Sequence, residues 1–120
     1  MNYEFFGKHL IVEGYGIQSE DLNNVDLFLS LFNKGIKNAD VTNCGVLVKK
    51  FDPIGMTIII LLAESHISIH TYPEKGAFFL DIFTCGRTNP NIIFKEIEDY
   101  FSKRYGRSIS FVKKILERRR

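Results

Sequence analysis

Hydrophobic and polar positions follow two different periods along the chain, and the changes of period divide it into strands and helices. Short apolar or alternating runs bounded by turn residues predict strands at 8–13, 44–51, 65–71, 77–84 and 108–116. Residues 56–63 are continuously apolar and rich in isoleucine, which predicts a strand that is buried on both faces of a sheet. In 65–71, by contrast, Ile67 and Ile69 alternate with polar residues, which is typical of a half-buried strand.

Apolar residues spaced by three and four positions predict two helices. We interpret Ser19 as the N-cap of the first, because Glu20 and Asp21 follow in the first turn, where carboxylates are favoured. Its apolar face comprises Leu22, Val25, Leu29, Phe32 and Ile36. The second begins at Asn89, with Pro90 at the first helical position. Its apolar face comprises Ile93, Ile97, Tyr100 and Phe101.

The order of these elements is strand, helix, several strands, helix and strand, and it predicts an α+β fold. Two helices are too few to cover both faces of such a sheet. We therefore expect a two-layer α/β sandwich, with a largely antiparallel sheet that carries both helices on one face. Its other face would be partly exposed, which favours a dimer.

Composition places the chain among ordinary globular domains. Its 120 residues predict a single domain over 1–120, with 45% apolar and 25% charged residues. Two cysteines make no disulfide framework and favour a reducing compartment. The N-terminus has no signal-like apolar core, and the longest apolar run is far short of the roughly 20 residues that span a bilayer. We expect a cytoplasmic protein without a membrane partner.

The positive charge is concentrated at the end of the chain. The net charge is only +2, yet eight of the 16 basic residues lie between Lys103 and Arg120. A nucleic-acid surface would explain this concentration, but the segment lacks the interleaved aromatic platform that single-strand binders use. We interpret the basic residues as a solvated helix end and tail, and we expect no nucleic-acid partner.

Residues 64–74 and 83–86 contain the densest reactive chemistry in the chain. They hold Ser65, His66, His70, two acids and Cys85. A serine between an acid and a histidine could be a hydrolase nucleophile. The nucleophile elbow of such enzymes, however, needs glycine two residues to either side of the serine, and this chain has Ala63 and Ile67 there.

Two other interpretations of these residues remain open. His66, His70, Glu74 and Cys85 are all metal-ligand types. The spacing of four between the histidines suits a zinc pair on a helix, but the β-branched residues between them favour a strand, so we expect no metal. Alternatively, Ser65 and His66 are only polar residues of an edge strand.

A resemblance to a known family separates these alternatives. Glu64-Ser65-His66-Ile67-Ser68-Ile69-His70-Thr71-Tyr72-Pro73-Glu74 and Asp81-Ile82-Phe83-Thr84-Cys85-Gly86 closely resemble the processing and catalytic motifs of the short prokaryotic S-adenosylmethionine decarboxylases. Residues 7–10 and 51–57 resemble two further segments of that family. The likeness extends from Gly7 to Gly86 and is weak beyond it.

The resemblance implies a proenzyme that cleaves itself between Glu64 and Ser65 into chains 1–64 and 65–120. The Ser65 hydroxyl would attack the Glu64 carbonyl, and Ser65 would become a covalent pyruvoyl group, the cofactor of the mature enzyme. The family's processing histidine and hydroxyl correspond to His70 and Thr57. In an ideal strand Ser65 and His70 point to opposite faces, so the two can cooperate only across a break, bulge or end.

For the mature enzyme, the resemblance implies that the pyruvoyl ketone forms a Schiff base with the amine of S-adenosylmethionine. Cys85 would return a proton after carbon dioxide leaves, and a thiol of ordinary pKa is mostly protonated at neutral pH. The product would supply the aminopropyl group for spermidine. Substrate-binding positions correspond to Phe51 and Tyr72, whose rings would hold the adenine, to Glu74 at the ribose, and to Ile67. Relatives pair two cleaved protomers, so we expect a homodimer.

Some residues depart from the family pattern. Gly14 stands where relatives usually carry a bulky residue, Ile58 replaces a common glycine, and Ala77-Phe78-Phe79 is bulkier than the usual stretch. Phe78 and Phe79 could narrow a pocket built for adenosine. Ornithine or arginine is therefore an alternative substrate for the same chemistry. An uncleaved, non-catalytic partner subunit is a further alternative.

Overall fold

Within residues 6–119, the part of the chain that the structure describes, six antiparallel strands form one sheet and three helices pack on one face of it. The structure is a computed structural model. The elements are β1 (Phe6–Tyr15), α1 (Ser19–Leu22), α2 (Val25–Asn38), β2 (Asn43–Lys50), β3 (Met56–Leu62), β4 (Ser65–Tyr72), β5 (Ala77–Cys85), α3 (Pro90–Tyr105) and β6 (Ser110–Arg119). This arrangement confirms the predicted two-layer α+β sandwich.

The strands lie in the order β2-β3-β4-β5-β1-β6. A two-residue turn, Ala63-Glu64, joins β3 to β4 and pairs Leu62 with Ser65 at one end of the hairpin. Thr57 pairs with His70 near the other end. The hairpin is therefore in continuous register along its length, and β4 has no break at Ser65.

The hydrophobic core lies between the helices and one face of the sheet, which we call the covered face. It is lined by Leu10 and Val12 of β1, Ile58 and Ile60 of β3, Ile67 and Ile69 of β4, and Phe78, Leu80 and Ile82 of β5. The helices contribute Phe28, Phe32, Ile93, Phe94, Ile97 and Phe101, all of them at most 1% exposed. Burial of this apolar surface is the main force that holds the two layers together.

No helix within residues 6–119 covers the opposite face of the sheet, which we call the open face. Ile59 and Leu61 of β3 point to it and are 43% and 58% exposed. The prediction that residues 56–63 are buried on both faces is therefore wrong for the single chain. The continuous apolar run arises because both sets of alternating residues are apolar, although the helices cover only one set.

The first predicted helix is two helices, and its predicted N-cap is wrong. Gln18, not Ser19, occupies the N-cap position of α1, and it makes no capping side-chain hydrogen bond. The helix stops at Leu22, and α2 begins after Asn24, whose side-chain oxygen accepts a hydrogen bond from the Leu27 amide at 3.0 Å. The sequence prediction misses this second N-cap, Asn24, because the helical spacing of apolar residues continues across the break.

The predictions for the second helix and the last strand are confirmed. Asn89 caps α3 with Pro90 in its first turn, and the last strand forms as β6, two residues later than predicted. Lys113 and Lys114 of β6 are exposed, whereas Arg119 and Arg120 of the expected basic tail have no described side chains. Within residues 6–119, the apolar character of each helix falls short of what a bilayer-spanning helix requires.

Gly14 and Phe78 are direct cross-strand partners that share one space in the core. They face each other in the β1–β5 register, and Phe78 is fully buried. A Cβ atom on Gly14 would lie 2.4 Å from the Phe78 ring. Phe78 therefore fills the volume that Gly14 leaves empty, and the expectation that Phe78 narrows a substrate pocket is wrong. Phe79, by contrast, points to the open face.

We expect Gly14→Ala to destabilise the chain by roughly 1–3 kcal/mol, because the added methyl group overlaps the Phe78 ring. In a Phe78→Leu background the same change should cost about 1 kcal/mol less, since the ring edge is gone. Urea unfolding of the four variants measures both values, and a Ser65→Ala background removes the serine of the expected cleavage. If the changes in the free energy of unfolding were strictly additive, the side chains at positions 14 and 78 would not compete for the same volume.

Candidate active site

One end of the sheet brings together the peptide that is expected to be cleaved, the serine and the cysteine. Glu64 lies in the turn between β3 and β4, Ser65 is the first residue of β4, and Cys85 is the last residue of β5. The Cys85 thiol donates a hydrogen bond to the Glu64 carbonyl oxygen, with 2.6 Å between Sγ and O. The Cys85 amide donates to Ser65 Oγ at 3.3 Å. The cysteine thus contacts both partners of the expected cleavage.

The surroundings of Cys85 favour the protonated thiol. Partial burial raises the pKa of the Cys85 thiol, and the nearby Glu64 carboxylate raises it further. Both causes disfavour the thiolate, because burial removes water from the charge and the carboxylate repels it. Cys85 therefore keeps its proton at neutral pH, as a proton donor must.

The other predicted processing residues form a pair near the far end of the hairpin. Thr57 Oγ1 and His70 Nδ1 are 2.8 Å apart, on adjacent strands. The Thr57 hydroxyl, which lies in an otherwise apolar strand, is therefore satisfied by the imidazole. The hydrogen bond also fixes the orientation of the ring.

The Thr57–His70 pair lines a cavity of about 300 Å³. Three of the residues expected to bind substrate line it as well, namely Phe51, Tyr72 and Glu74. Phe51 and Tyr72 are 49% and 37% exposed, so both rings are available to a ligand. The Tyr72 ring also packs on Phe79, with 5.1 Å between the ring centroids. Ile67 is not part of this cavity, since it is fully buried in the core on the covered face.

Ser65 and His70 do not meet within one chain. They are five positions apart on one continuous strand, which corresponds to about 16 Å between their Cα atoms. Ser65 is 8% exposed and lies on the covered face, whereas His70 lies on the open face. In a single chain the residues of the expected site therefore form two separate groups. We call Glu64, Ser65 and Cys85 the cleavage half-site, and the residues around Thr57 and His70 the cavity half-site.

The side chains considered as metal ligands are dispersed rather than clustered. The His66 ring packs edge-on against the His9 ring and at a tilt of 36° against the Phe83 ring, while His70 bonds to Thr57. Among residues 6–118, whose side chains are described, no three histidine, cysteine or acidic side chains converge on a point that could hold a metal ion.

Two polar features of the site were not predicted from the sequence. Asn23 Oδ1 accepts a hydrogen bond from the Gly55 amide at 3.1 Å, and Thr71 Oγ1 accepts one from the Met56 amide at 3.1 Å. Both bonds hold the turn that carries Phe51. The only signal for Asn23 was the polar Asn23-Asn24 pair within the helical periodicity.

A third unpredicted contact lies on the open face. His9 Nε2 lies 3.0 Å from Asp81 Oδ1, a contact between strands that the sequence order does not reveal.

Comparison with known proteins gives a consistent result. The family model described as S-adenosylmethionine decarboxylase matches residues 8–113. The chain is 45% identical over 83 residues to an S-adenosylmethionine decarboxylase proenzyme of Archaeoglobus fulgidus, covering 69% of this chain and 74% of the relative. It is 36% identical over 115 residues to the proenzyme of Thermococcus kodakarensis, covering 95% of this chain and 80% of that one.

A solved structure agrees with the sequence comparisons. The adenosylmethionine decarboxylase of Aquifex aeolicus superposes with a TM-score of 0.77 at 28% identity, over 98% of this chain and 94% of that one. The match to the family model, over residues 8–113, includes both half-sites. The chain belongs to the S-adenosylmethionine decarboxylase family.

Proposed function

We propose that this chain is a self-processing, pyruvoyl-dependent decarboxylase of S-adenosylmethionine, and that its product supplies the aminopropyl group for spermidine synthesis in the cytoplasm. The observation that carries the proposal is the contact of Cys85 with both the Glu64 carbonyl and the Ser65 hydroxyl. The relatives named above are S-adenosylmethionine decarboxylase proenzymes. Ornithine, arginine and an uncleaved partner subunit find no support among them.

Cleavage begins when Ser65 Oγ attacks the Glu64 carbonyl carbon, so that a C–O ester bond replaces the C–N amide bond. The negative charge that develops on the Glu64 oxygen falls on the atom to which the Cys85 thiol donates. Loss of the Ser65 α-proton then expels the Glu64 carboxylate and leaves dehydroalanine at position 65. Water replaces its nitrogen, which leaves as ammonia, and chains 1–64 and 65–120 result.

The residues at the cleavage half-site fit a pyruvoyl group, because its three carbons come from Ser65 itself and a protonated thiol lies beside them. The group supplies a conjugated carbonyl that accepts the electrons released with carbon dioxide. Cys85 holds the proton that the reacting carbon then needs. The raised pKa of its thiol keeps that proton in place at neutral pH.

The cavity half-site has the chemistry to bind a nucleoside that carries a sulfonium. The Phe51 and Tyr72 rings offer two faces for an adenine, and Glu74 offers a carboxylate for ribose hydroxyls. A sulfonium near either ring gains on the order of 0.5–2 kcal/mol from cation–π attraction. Ornithine has no planar group that would stack between two rings, and neither ornithine nor arginine has ribose hydroxyls for Glu74. This difference favours S-adenosylmethionine.

A homodimer would complete the active site. A second copy packed on the open face, with its two-fold axis near the middle of β4, places His70 of one copy over the end of the other's sheet where Cys85, also on the open face, contacts the Glu64 carbonyl. The open face has the surface for this contact, since Ile59, Leu61 and Phe79 are between 43% and 58% exposed. Two active sites per dimer follow, each with a cleavage half-site from one copy and a cavity half-site from the other.

The proposed chemistry predicts the result of intact mass analysis after cyanoborohydride trapping. Wild-type protein should give two fragments that divide between residues 64 and 65, and only the downstream fragment should gain mass from S-adenosylmethionine. Ornithine and arginine, offered separately, should add nothing. Ser65→Ala should remain one chain without an adduct. A full-length wild-type mass would refute self-processing, and an ornithine or arginine adduct would refute the substrate.

The environment of Cys85 predicts the pH dependence of its alkylation. In a Cys44→Ser, Ser65→Ala chain, the iodoacetamide rate should rise with pH through an inflection that lies above that of the same chain unfolded in urea. The sign follows from the raised pKa: the folded chain keeps the thiol protonated to higher pH. Adding Glu64→Gln should move the inflection part of the way down, because the second cause of the shift is removed. A folded inflection at or below the unfolded one would contradict this account.

A further inference from the structure

We propose that Asn23 is a positioning residue for the substrate cavity, acting through the Phe51 turn from the break between α1 and α2. The inference rests on the proposed function, in that it takes the cavity lined by Phe51, Tyr72 and Glu74 as the place where the nucleoside binds. Asn23 itself does not line that cavity.

The Phe51 turn, residues 51–55, is closed on itself and tied to Asn23. The Phe51 amide donates to the Gly55 carbonyl at 2.8 Å, and the Gly55 amide donates to Asn23 Oδ1 at 3.1 Å. Gly55 has φ = +102°, a conformation that other residues rarely adopt, and a Cβ atom there would lie 3.3 Å from the Thr71 carbonyl oxygen. The Asn23 bond therefore holds the turn at its most constrained residue.

The segment that carries Asn23 also supports the second loop of the cavity. This segment, residues 16–24, which we call the bracket, begins with two amides, Gly16 and Ile17, that both donate to the Gly76 carbonyl at 3.0 and 3.1 Å. Gly76 ends the 3₁₀ turn Pro73–Lys75, which contains Glu74. One end of the bracket thus holds the Glu74 turn and the other end holds the Phe51 turn.

The bracket is itself held in place by contacts with α3, so its hydrogen bonds can hold the two loops of the cavity in position. Asp21 is 5% exposed and accepts hydrogen bonds from the Tyr105 hydroxyl and from Arg104 Nε, the latter at 2.7 Å. The Gln18 amide donates to the Tyr105 oxygen at 3.2 Å. These contacts fix α1 to the end of α3, and hydrogen bonds to charged groups in partly buried positions are among the stronger ones.

The two asparagines at the break between α1 and α2 make different contacts. Asn24 ends the break by capping α2, while Asn23 directs its side chain at the Gly55 amide. Thr57 and His70 are held by the sheet register instead. Loss of the Asn23 bond should therefore weaken substrate binding and leave both self-cleavage and the chemical step unchanged.

The test compares Asn23→Ala with two matched variants. Asn24→Ala makes the same change at the adjacent residue and removes a helix cap, so it reports general destabilisation. Asn23→Asp keeps an oxygen that can accept from the Gly55 amide. Three quantities are measured for each: the rate of self-cleavage, kcat and KM for S-adenosylmethionine per cleaved chain, and hydrogen exchange of the Gly55 amide by NMR.

We expect Asn23→Ala to raise KM and Gly55 exchange about fivefold each, the effect of losing one ordinary hydrogen bond. Its kcat and cleavage rate should stay within twofold of wild type. Asn24→Ala and Asn23→Asp should keep both KM and Gly55 exchange within twofold of wild type. Unchanged KM and exchange in Asn23→Ala would overturn the inference, as would equal effects of Asn23→Ala and Asn24→Ala.

The inference and the proposed function can fail separately. If wild-type protein neither cleaves nor turns over S-adenosylmethionine, the proposed function is wrong, and Gly55 exchange alone decides the role of Asn23. A rise that is confined to Asn23→Ala then supports the positioning role, and no rise overturns it.

Discussion

Ser65 and His70 are kept apart by the geometry of an antiparallel strand. The two-residue turn at Ala63-Glu64 fixes the register of the β3–β4 hairpin, and an odd spacing of five then turns the two side chains to opposite faces, about 16 Å apart. A slip of one residue would move every core isoleucine of β4 to the open face, so the core locks this register. The same constraint that builds the core thus divides the active site into two half-sites.

The separation of Ser65 from His70 suggests a role for the open face of the sheet, which is to bind a second copy of the chain. A sheet of six strands with helices on one side leaves a row of apolar residues uncovered, including Ile59 and Leu61. A second copy that covers this row buries apolar surface and, in the proposed two-fold arrangement, supplies the missing histidine to each cleavage half-site. Assembly and catalysis then depend on one contact, and a monomer would have neither a covered sheet nor a complete site.

The sequence predicted the elements whose signal is local. The Asn89-Pro90 start of α3 and the strand alternation of residues 65–71 were found because neighbouring residues alone determine them. The prediction of a Ser19 cap is wrong because the apolar period continues across the Asn23-Asn24 break. The prediction that residues 56–63 are buried on both faces is wrong because composition does not tell how many faces of a sheet are covered.

The site residues also divide into those that the sequence identifies and those that only the tertiary structure reveals. The resemblance to the family predicts roles for Ser65, Cys85 and His70, but only the strand register shows which of these residues are in contact. Ile67 lies in the core because it belongs to the covered-face alternation of β4, and Phe78 lies there because Gly14 opposite leaves room for its ring. Asn23 acts over 32 positions in sequence, on the Gly55 amide, and no local pattern could reveal that contact.

Complementation between two inactive variants tests most directly whether the site is shared between copies. Ser65→Ala chains keep a cavity half-site and His70→Ala chains keep a cleavage half-site. When the two are expressed together, the account predicts that His70→Ala chains are cut before Ser65, although neither variant is cut when expressed alone. Mass analysis with one chain tagged identifies which chain was cleaved. Absence of cleavage in the mixed dimers would contradict the shared site and place His70 and Ser65 in the same chain's chemistry.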